Sequence, residues 1–128
     1  MLGLSFKADT DDLRGSPAVN VARRLVAAGH SVVAYDPAVR ADRASAAVPG
    51  MEVASDPYEV FRDADAVVIA TEWPQFGELD LHAAGPMTRR SLLFDGRRMI
   101  EPREAVDAGF AYRGVGTISL DPETLAVS

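Results

Sequence analysis

The sequence predicts an α/β fold: a doubly wound, Rossmann-like parallel sheet with helices on both faces, a three-layer α/β/α sandwich. Three observations carry that prediction. Strand-like and helix-like segments alternate along the chain, the connections between them are short, and the best strand candidates, "VVAY" (residues 32–35) and "AVVIA" (residues 66–70), are too uniformly apolar for a sheet with one wet face. Strands of that kind are buried on both sides, as in a parallel sheet whose crossovers are helices.

The elements follow in order. Residues 2–6 are an apolar run that begins almost at Met1 and reads as the start of a strand. Ser16 followed by Pro17 is an N-cap with proline at the first helical position. Ala18, Val21, Ala22, Leu25 and Val26 then recur at helical spacing as one apolar face, and Gly29 supplies the stop. Residues 31–37 form the second strand. Residues 38–50 read as a weak helix or loop closing on Pro49-Gly50, and residues 51–54 as a short edge strand. A capped helix is expected over residues 57–62, with Val60 and Phe61 toward the sheet. Residues 64–71 are the strongest strand. After the loop "EWPQFGELD", a short helix around residues 81–84 leads to the strand "SLLFDG" (residues 91–96). "EPREAVDAG" is a capped helix closed by Gly109, and "FAYRGVG" (residues 110–116) is the last strand. Residues 117–128 show no pattern, so the expected division is a domain over 1–116 and a tail over 117–128.

With 128 residues, 48% of them hydrophobic, the chain suits one domain with an ordinary core. The net charge is -6 and the arginines are scattered, which argues against a duplex nucleic acid or an anionic membrane as partner. Cysteine is absent, which removes disulfides, thiolate metal sites and a cysteine nucleophile. His30 and His82 lack matching ligand partners, so no metal site is expected. No apolar run reaches the roughly 20 residues of a membrane span, and Lys7 with the acidic run after it stands where a signal peptide would be apolar. A cytoplasmic location is the expectation.

In a doubly wound sheet, ligands bind beyond the carboxyl ends of the strands, which directs attention to the loops after Phe6, Tyr35, Ala70 and Phe94. A dinucleotide turn would show G-x-G-x-x-G before the first helix, whereas this segment is long, acidic and has glycine only at Gly3 and Gly15. Asp36 stands where such folds often hold a ribose hydroxyl, but Asp before Pro at a strand end is more often plain turn chemistry. Lys7, Arg14 and the amides after Ser16 are suited to a phosphate. Asp9, Asp11 and Asp12 offer the other reading, in which they pair with these cations in a solvated loop.

Four motifs occur together in order: "GLSFKADTDDLRGSPA", "AYDP", "DADAVVIATEW" and "LLFDGRR". As a set they resemble the carboxyl-terminal, UDP-binding domain of the UDP-glucose/GDP-mannose dehydrogenase family, from Leu2 to about Gly116. "TEW" followed by a phenylalanine is more similar to the UDP-glucose 6-dehydrogenase branch than to the mannose or N-acetylmannosamine branches. The resemblance implies a part of an NAD-dependent enzyme that oxidises the C6 hydroxyl of a nucleotide sugar such as UDP-glucose to a carboxylate through two hydride transfers. It further implies partner domains, amino-terminal and central, that supply the dinucleotide site, the cysteine nucleophile and dimerisation. Carried over by position, Phe6, Lys7 and Arg97 are the substrate-binding residues. Arg14 touches NAD bound across the cleft, Asp95 and Gly96 shape the turn that presents Arg97, and no catalytic residue lies in this chain. The resembling strand normally begins a few residues before Leu2. The chain is therefore expected to be a piece of a larger dehydrogenase, inactive alone, or a stand-alone nucleotide-sugar binding or assembly module that keeps the fold. A weakened first strand would favour association through an exposed edge into a homo-oligomer.

Overall fold

The computed structural model describes residues 1–115 and 119–122. Gly116 of the expected last strand and residues 117, 118 and 123–128 of the expected tail lie outside the described residues. In order, the chain forms α1 (Pro17–Ala27), β1 (Val33–Ala34), α2 (Ala41–Ala47), β2 (Glu52–Val53), β3 (Val67–Ile69), α3 (Leu81–Ala84), β4 (Leu92–Asp95), α4 (Pro102–Asp107) and β5 (Ala111–Gly114). Tight helical turns over Pro57–Phe61, Pro74–Glu78 and Gly85–Met87 fill the connections.

Every pairing between these strands is parallel: β1 with β2, β3 with β4, and β4 with β5. The first apolar run joins the two groups. Leu2 pairs in parallel with both Tyr35 and Ile69, through Gly3 N–H to the Tyr35 carbonyl (2.8 Å) and Leu2 N–H to the Val68 carbonyl (2.7 Å). Across the molecule the order is therefore β2, β1, the Leu2 segment, β3, β4, β5, which is the doubly wound order with its switch point between the Leu2 segment and β3.

Alternation along the strands divides the core between the two faces. Val32, Ala34, Leu4 and Met51 bury against Ala18, Val19 and Ala22 of α1 and Ala44 of α2. Leu2, Val67, Ile69, Leu93 and Tyr112 bury against Leu81 and Ala84 of α3 and Ala105 and Val106 of α4, with Phe61, Phe76 and Phe110 filling between them. The second cluster holds the three buried phenylalanines, whose large rings fill much of its volume.

Several details differ from the expectation. The buried face of α1 includes Val19 rather than Val21, which is 43% exposed. The Ser16 hydroxyl fixes the start by donating to the Leu4 carbonyl (2.6 Å) while accepting from Val19 N–H (3.3 Å), and this anchor sets the rotation of the helix. The first strand is short because Gly3 adopts φ +100°. A Cβ there would stand 2.4 Å from the Thr71 side chain, so only glycine permits this close seam between the Leu2 segment and the end of β3. The loop expected over residues 72–80 contains the Pro74–Glu78 turn, which buries Phe76. Residues 119–122 fold back: Leu120 pairs antiparallel with Tyr112, and Asp121 forms an ion pair with Arg113 at 3.0 Å. Finally, α1 and α2 both sit over the β1 half of their face. Phe94 of β4 points to that face at its far end and is left 41% exposed.

Candidate functional site

The carboxyl ends of the Leu2 segment, β1, β3 and β4 deliver four loops to one edge of the sheet. Two buried aspartates order that edge. Asp36, two residues past β1, accepts through Oδ2 from Leu4 N–H (2.8 Å), Ser5 N–H (2.9 Å) and the Trp73 indole (3.3 Å), and through Oδ1 from Ala38 N–H (2.9 Å). It thereby turns the chain out of the sheet just before Phe6. Ser5 continues the work, its hydroxyl donating to the Lys7 carbonyl (2.9 Å) while its own carbonyl accepts from buried Thr71 (3.1 Å).

Asp95, the last residue of β4, is fully buried. Its Oδ1 accepts from Arg97 N–H (3.2 Å) and Met99 N–H (3.0 Å), and its Oδ2 accepts from Ile100 N–H (2.8 Å) and the Tyr112 hydroxyl (3.0 Å). Burial first, then the neighbouring Asp95 charge and hydrogen bond, pushes the Tyr112 phenol up to about 12. Gly96 lets this turn pass close to β3: its N–H donates to the Ile69 carbonyl at 3.0 Å, and a Cβ would press on the same oxygen.

On these braced turns stand the side chains that the sequence singled out. Phe6 is 48% exposed at the mouth of the opening loop. Lys7 is exposed, and among the described residues its ammonium has no hydrogen bond or ion pair. Arg97 is exposed on the next loop but one, and its Nε donates to Glu72 Oε2 at 2.6 Å, with Nη2 also against that oxygen. The other Glu72 oxygen accepts from Ala8 N–H at 3.2 Å. Burial raises the Glu72 carboxyl, but the Arg97 and Ala8 hydrogen bonds outweigh it and hold the group below its ordinary value. Glu72 thus ties the loop that carries Lys7 to the guanidinium of Arg97 across the switch point.

Arg14 lies elsewhere on the same long loop. It is bidentate to Asp12, with Nε to Oδ1 at 3.1 Å and Nη2 to Oδ2 at 3.2 Å, and is almost wholly solvated. Asp11 pairs with Arg43 of α2 at 2.9 Å. For Arg14, then, the structure contains the pairing within a solvated loop that the sequence offered as one of its readings; for Lys7 it does not. His30 and His82 are both on the surface, and among the described residues no cluster of three or more His, Cys, Asp or Glu side chains is placed to hold a metal ion.

The arrangement presents an ammonium, a guanidinium whose outer edge has no partner among the described residues and an exposed aromatic ring at one sheet edge, a set suited to an anionic group joined to a flat apolar one. A dinucleotide does not fit the same place by its usual contacts. Asp36 is buried and already accepts four protein donors, three of them on Oδ2, and the opening turn is a long braced loop instead of a glycine cradle. Two concavities of about 320 and 260 Å³ lie on other parts of the surface. The first is lined by Asp80, His82, Glu104 and Asp107 and the second by Arg98, Glu101 and Tyr112; neither includes Phe6, Lys7 or Arg97.

Sequence reasoning missed the bridging role of Glu72. An acidic residue immediately after an apolar strand, at the switch point of a sheet whose neighbouring loops carry cations, was the available signal. It also left Asp36 between two uses, because two of the three amides it accepts from lie 31 and 32 residues away.

Comparison with known proteins shows a family. The profile of the UDP-glucose/GDP-mannose dehydrogenase family, UDP binding domain, matches residues 1–102. A UDP-glucose 6-dehydrogenase from Rhizobium meliloti is 40% identical over 116 residues, covering 91% of this chain and 26% of the relative. The solved structure of a UDP-glucose dehydrogenase from Pyrobaculum islandicum superposes with a TM-score of 0.73 at 35% identity, over 91% of this chain and 24% of the other. That of a UDP-D-ManNAc dehydrogenase from Pyrococcus horikoshii superposes with the same TM-score, 0.73, at 33% identity, over 90% of this chain and 24% of the other. The chain spans about a quarter of the length of the curated relatives it matches. In the described residues no helix is long and apolar enough to cross a membrane.

Proposed function

The chain belongs to the UDP-glucose/GDP-mannose dehydrogenase family, as its UDP-binding domain, and from that premise we propose that Phe6, Lys7 and Arg97 hold the nucleotide end of a UDP-sugar such as UDP-glucose. Lys7 and Arg97 neutralise the diphosphate, the first as a point charge and the second through a planar fork that fits paired oxygens. Phe6 gives an apolar wall beside them. The single observation that carries this reading is that Lys7, whose ammonium has no partner among the described residues, and Arg97 stand on loops at the switch point of the sheet, with the Glu72 carboxylate bonded both to the Arg97 guanidinium and to the backbone N–H next to Lys7.

The reading extends to the whole enzyme as follows. This domain, residues 1–116 with a tail at 117–128, serves an NAD-dependent UDP-glucose 6-dehydrogenase that oxidises the sugar C6 hydroxyl to a carboxylate in two hydride transfers. NAD is held mainly by another domain, with Arg14 reaching it across the cleft once its solvated pairing with Asp12 is exchanged for the cofactor. The chain has no cysteine, so a covalent thioester stage needs a residue from outside it, and the domain alone is not expected to turn over substrate.

An amide chemical-shift titration of the 128-residue chain with UDP-glucose, with NAD run in parallel, tests the site. Shifts are expected at Phe6, Lys7 and Arg97 with UDP-glucose, and Lys7→Ala and Arg97→Ala are each expected to weaken binding by about tenfold through loss of a charge-assisted contact to phosphate. Shifts confined to other loops, or affinities that ignore both substitutions, would reject it.

A further inference from the structure

The geometry points to Glu72 as the positioning residue of the phosphate site: it fixes the Arg97 guanidinium against the loop that carries Lys7, so that the two cations meet a diphosphate at a set spacing. This rests on the UDP-site reading above and adds a residue to it.

An exposed arginine has four rotatable side-chain bonds, and a ligand that must immobilise it loses affinity to the ordering cost. Here part of that cost is already met before any ligand arrives. Glu72 Oε2 takes Nε of Arg97 at 2.6 Å and also faces Nη2, which engages one edge of the fork. Arg97 Nη1 makes no hydrogen bond among the described residues, which leaves the outer edge to an incoming anion. The carboxylate is itself held. Its Oε1 accepts from Ala8 N–H at 3.2 Å, and Glu72 follows directly on Thr71, which is fully buried and bonded to the Ser5 carbonyl at 3.1 Å. Arg97 is fixed at its other end by the Asp95 brace on its own N–H. The guanidinium is therefore located from both ends, and one of those ends is the backbone next to Lys7.

Only a carboxylate meets both demands. A glutamine presents one oxygen and one NH₂, so it must turn a donor toward either Ala8 N–H or Arg97, and one of the two links is lost. The opposing effect is electrostatic: a negative charge beside Arg97 reduces the pull on a phosphate. The two effects have opposite signs, so affinity decides between them.

The experiment is a double-mutant cycle on the full chain, read by UDP titration, with thermal melting to confirm that each variant keeps its fold. Glu72→Gln is expected to weaken UDP binding by about fivefold through loss of the preset geometry, at an almost unchanged melting midpoint. In an Arg97→Ala background the same substitution is expected to cost nothing further, because Glu72 acts through Arg97. The Arg97 Nε–H resonance is expected to move on Glu72→Gln in the absence of ligand. Unchanged or tighter UDP binding in Glu72→Gln, while Arg97→Ala still weakens it, would overturn the positioning role and leave the UDP site standing. A loss of equal size in both backgrounds would make Glu72 a brace of the Ala8 loop only. Failure of the unsubstituted chain to bind UDP, or indifference of binding to Arg97→Ala, would remove the UDP-site reading and this role together.

Discussion

Asp36 and Asp95 close strands in opposite halves of the sheet, and the two turns they command teach different lessons. Each buried carboxylate accepts three backbone N–H groups and one donor from a buried ring, Trp73 or Tyr112. Each also stands behind a proposed ligand cation, Lys7 in one half and Arg97 in the other. The difference is reach. Asp95 gathers amides two, four and five residues ahead and so builds its own turn. Two of the three amides that Asp36 gathers belong to the opening loop, more than 30 residues behind it, so it holds together two segments that meet only in the folded chain. In both halves the ionic side chain that faces solvent is placed by one that does not.

Substitutions rank the two halves. The largest loss is expected from Asp95→Ala, about 4 kcal/mol in urea unfolding, since it strands four donors at a site with no exposure. Asp36→Ala is expected to cost somewhat less, about 3 kcal/mol, because the residue is 7% exposed and water can reach part of the orphaned set. A reversed order would break the comparison. Tyr112→Phe sharpens it by removing one donor from the Asp95 group, with an expected loss of about 1 kcal/mol near neutral pH. The phenol is held up at about 12 in the folded chain against an ordinary 10.0, so its stabilisation is complete below pH 10 and is lost as the pH rises toward 12. The gap between the native chain and Tyr112→Phe is therefore expected to narrow over that interval in alkaline unfolding curves, and a constant gap would separate Tyr112 from Asp95. The smallest effect is expected in the solvated part of the opening loop: Asp12→Ala frees a 92% exposed Arg14 side chain and should leave the melting midpoint where it was.

Much of the fold was legible because its signals are local. The Ser16-Pro17 cap, the apolar runs at residues 66–70 and 92–94, and the glycine after α4 each specify an element from within a few residues, and α1, β3, β4 and α4 stand where these signals place them. The rotation of α1 was less legible: helical spacing admits Val21 as readily as Val19, and the bond from Ser16 to Leu4, 12 residues apart, selects between them. The site divides the same way. The Asp95-Gly96-Arg97 turn is written in consecutive residues, whereas Glu72 binds Arg97 25 residues away and Ala8 64 residues away, so no pattern near it marks its use.

By itself, then, the sequence determined the class of fold and the order of its elements, since periodicity, capping and turn chemistry act over short stretches of chain, whereas Arg97 was singled out only through the resemblance of its motif. The tertiary structure alone decided which carboxylates are spent on those loops and which cation has no partner among the described residues. Lys7 and Arg14 sit on one loop with acidic neighbours alike, yet only Arg14 is paired within it. The reason is geometric. Hydrogen bonds donated to Asp36 and Glu72 and one received from Thr71 fix the path of residues 4–8, and that path, built from strands far apart in sequence, sets which charges can meet.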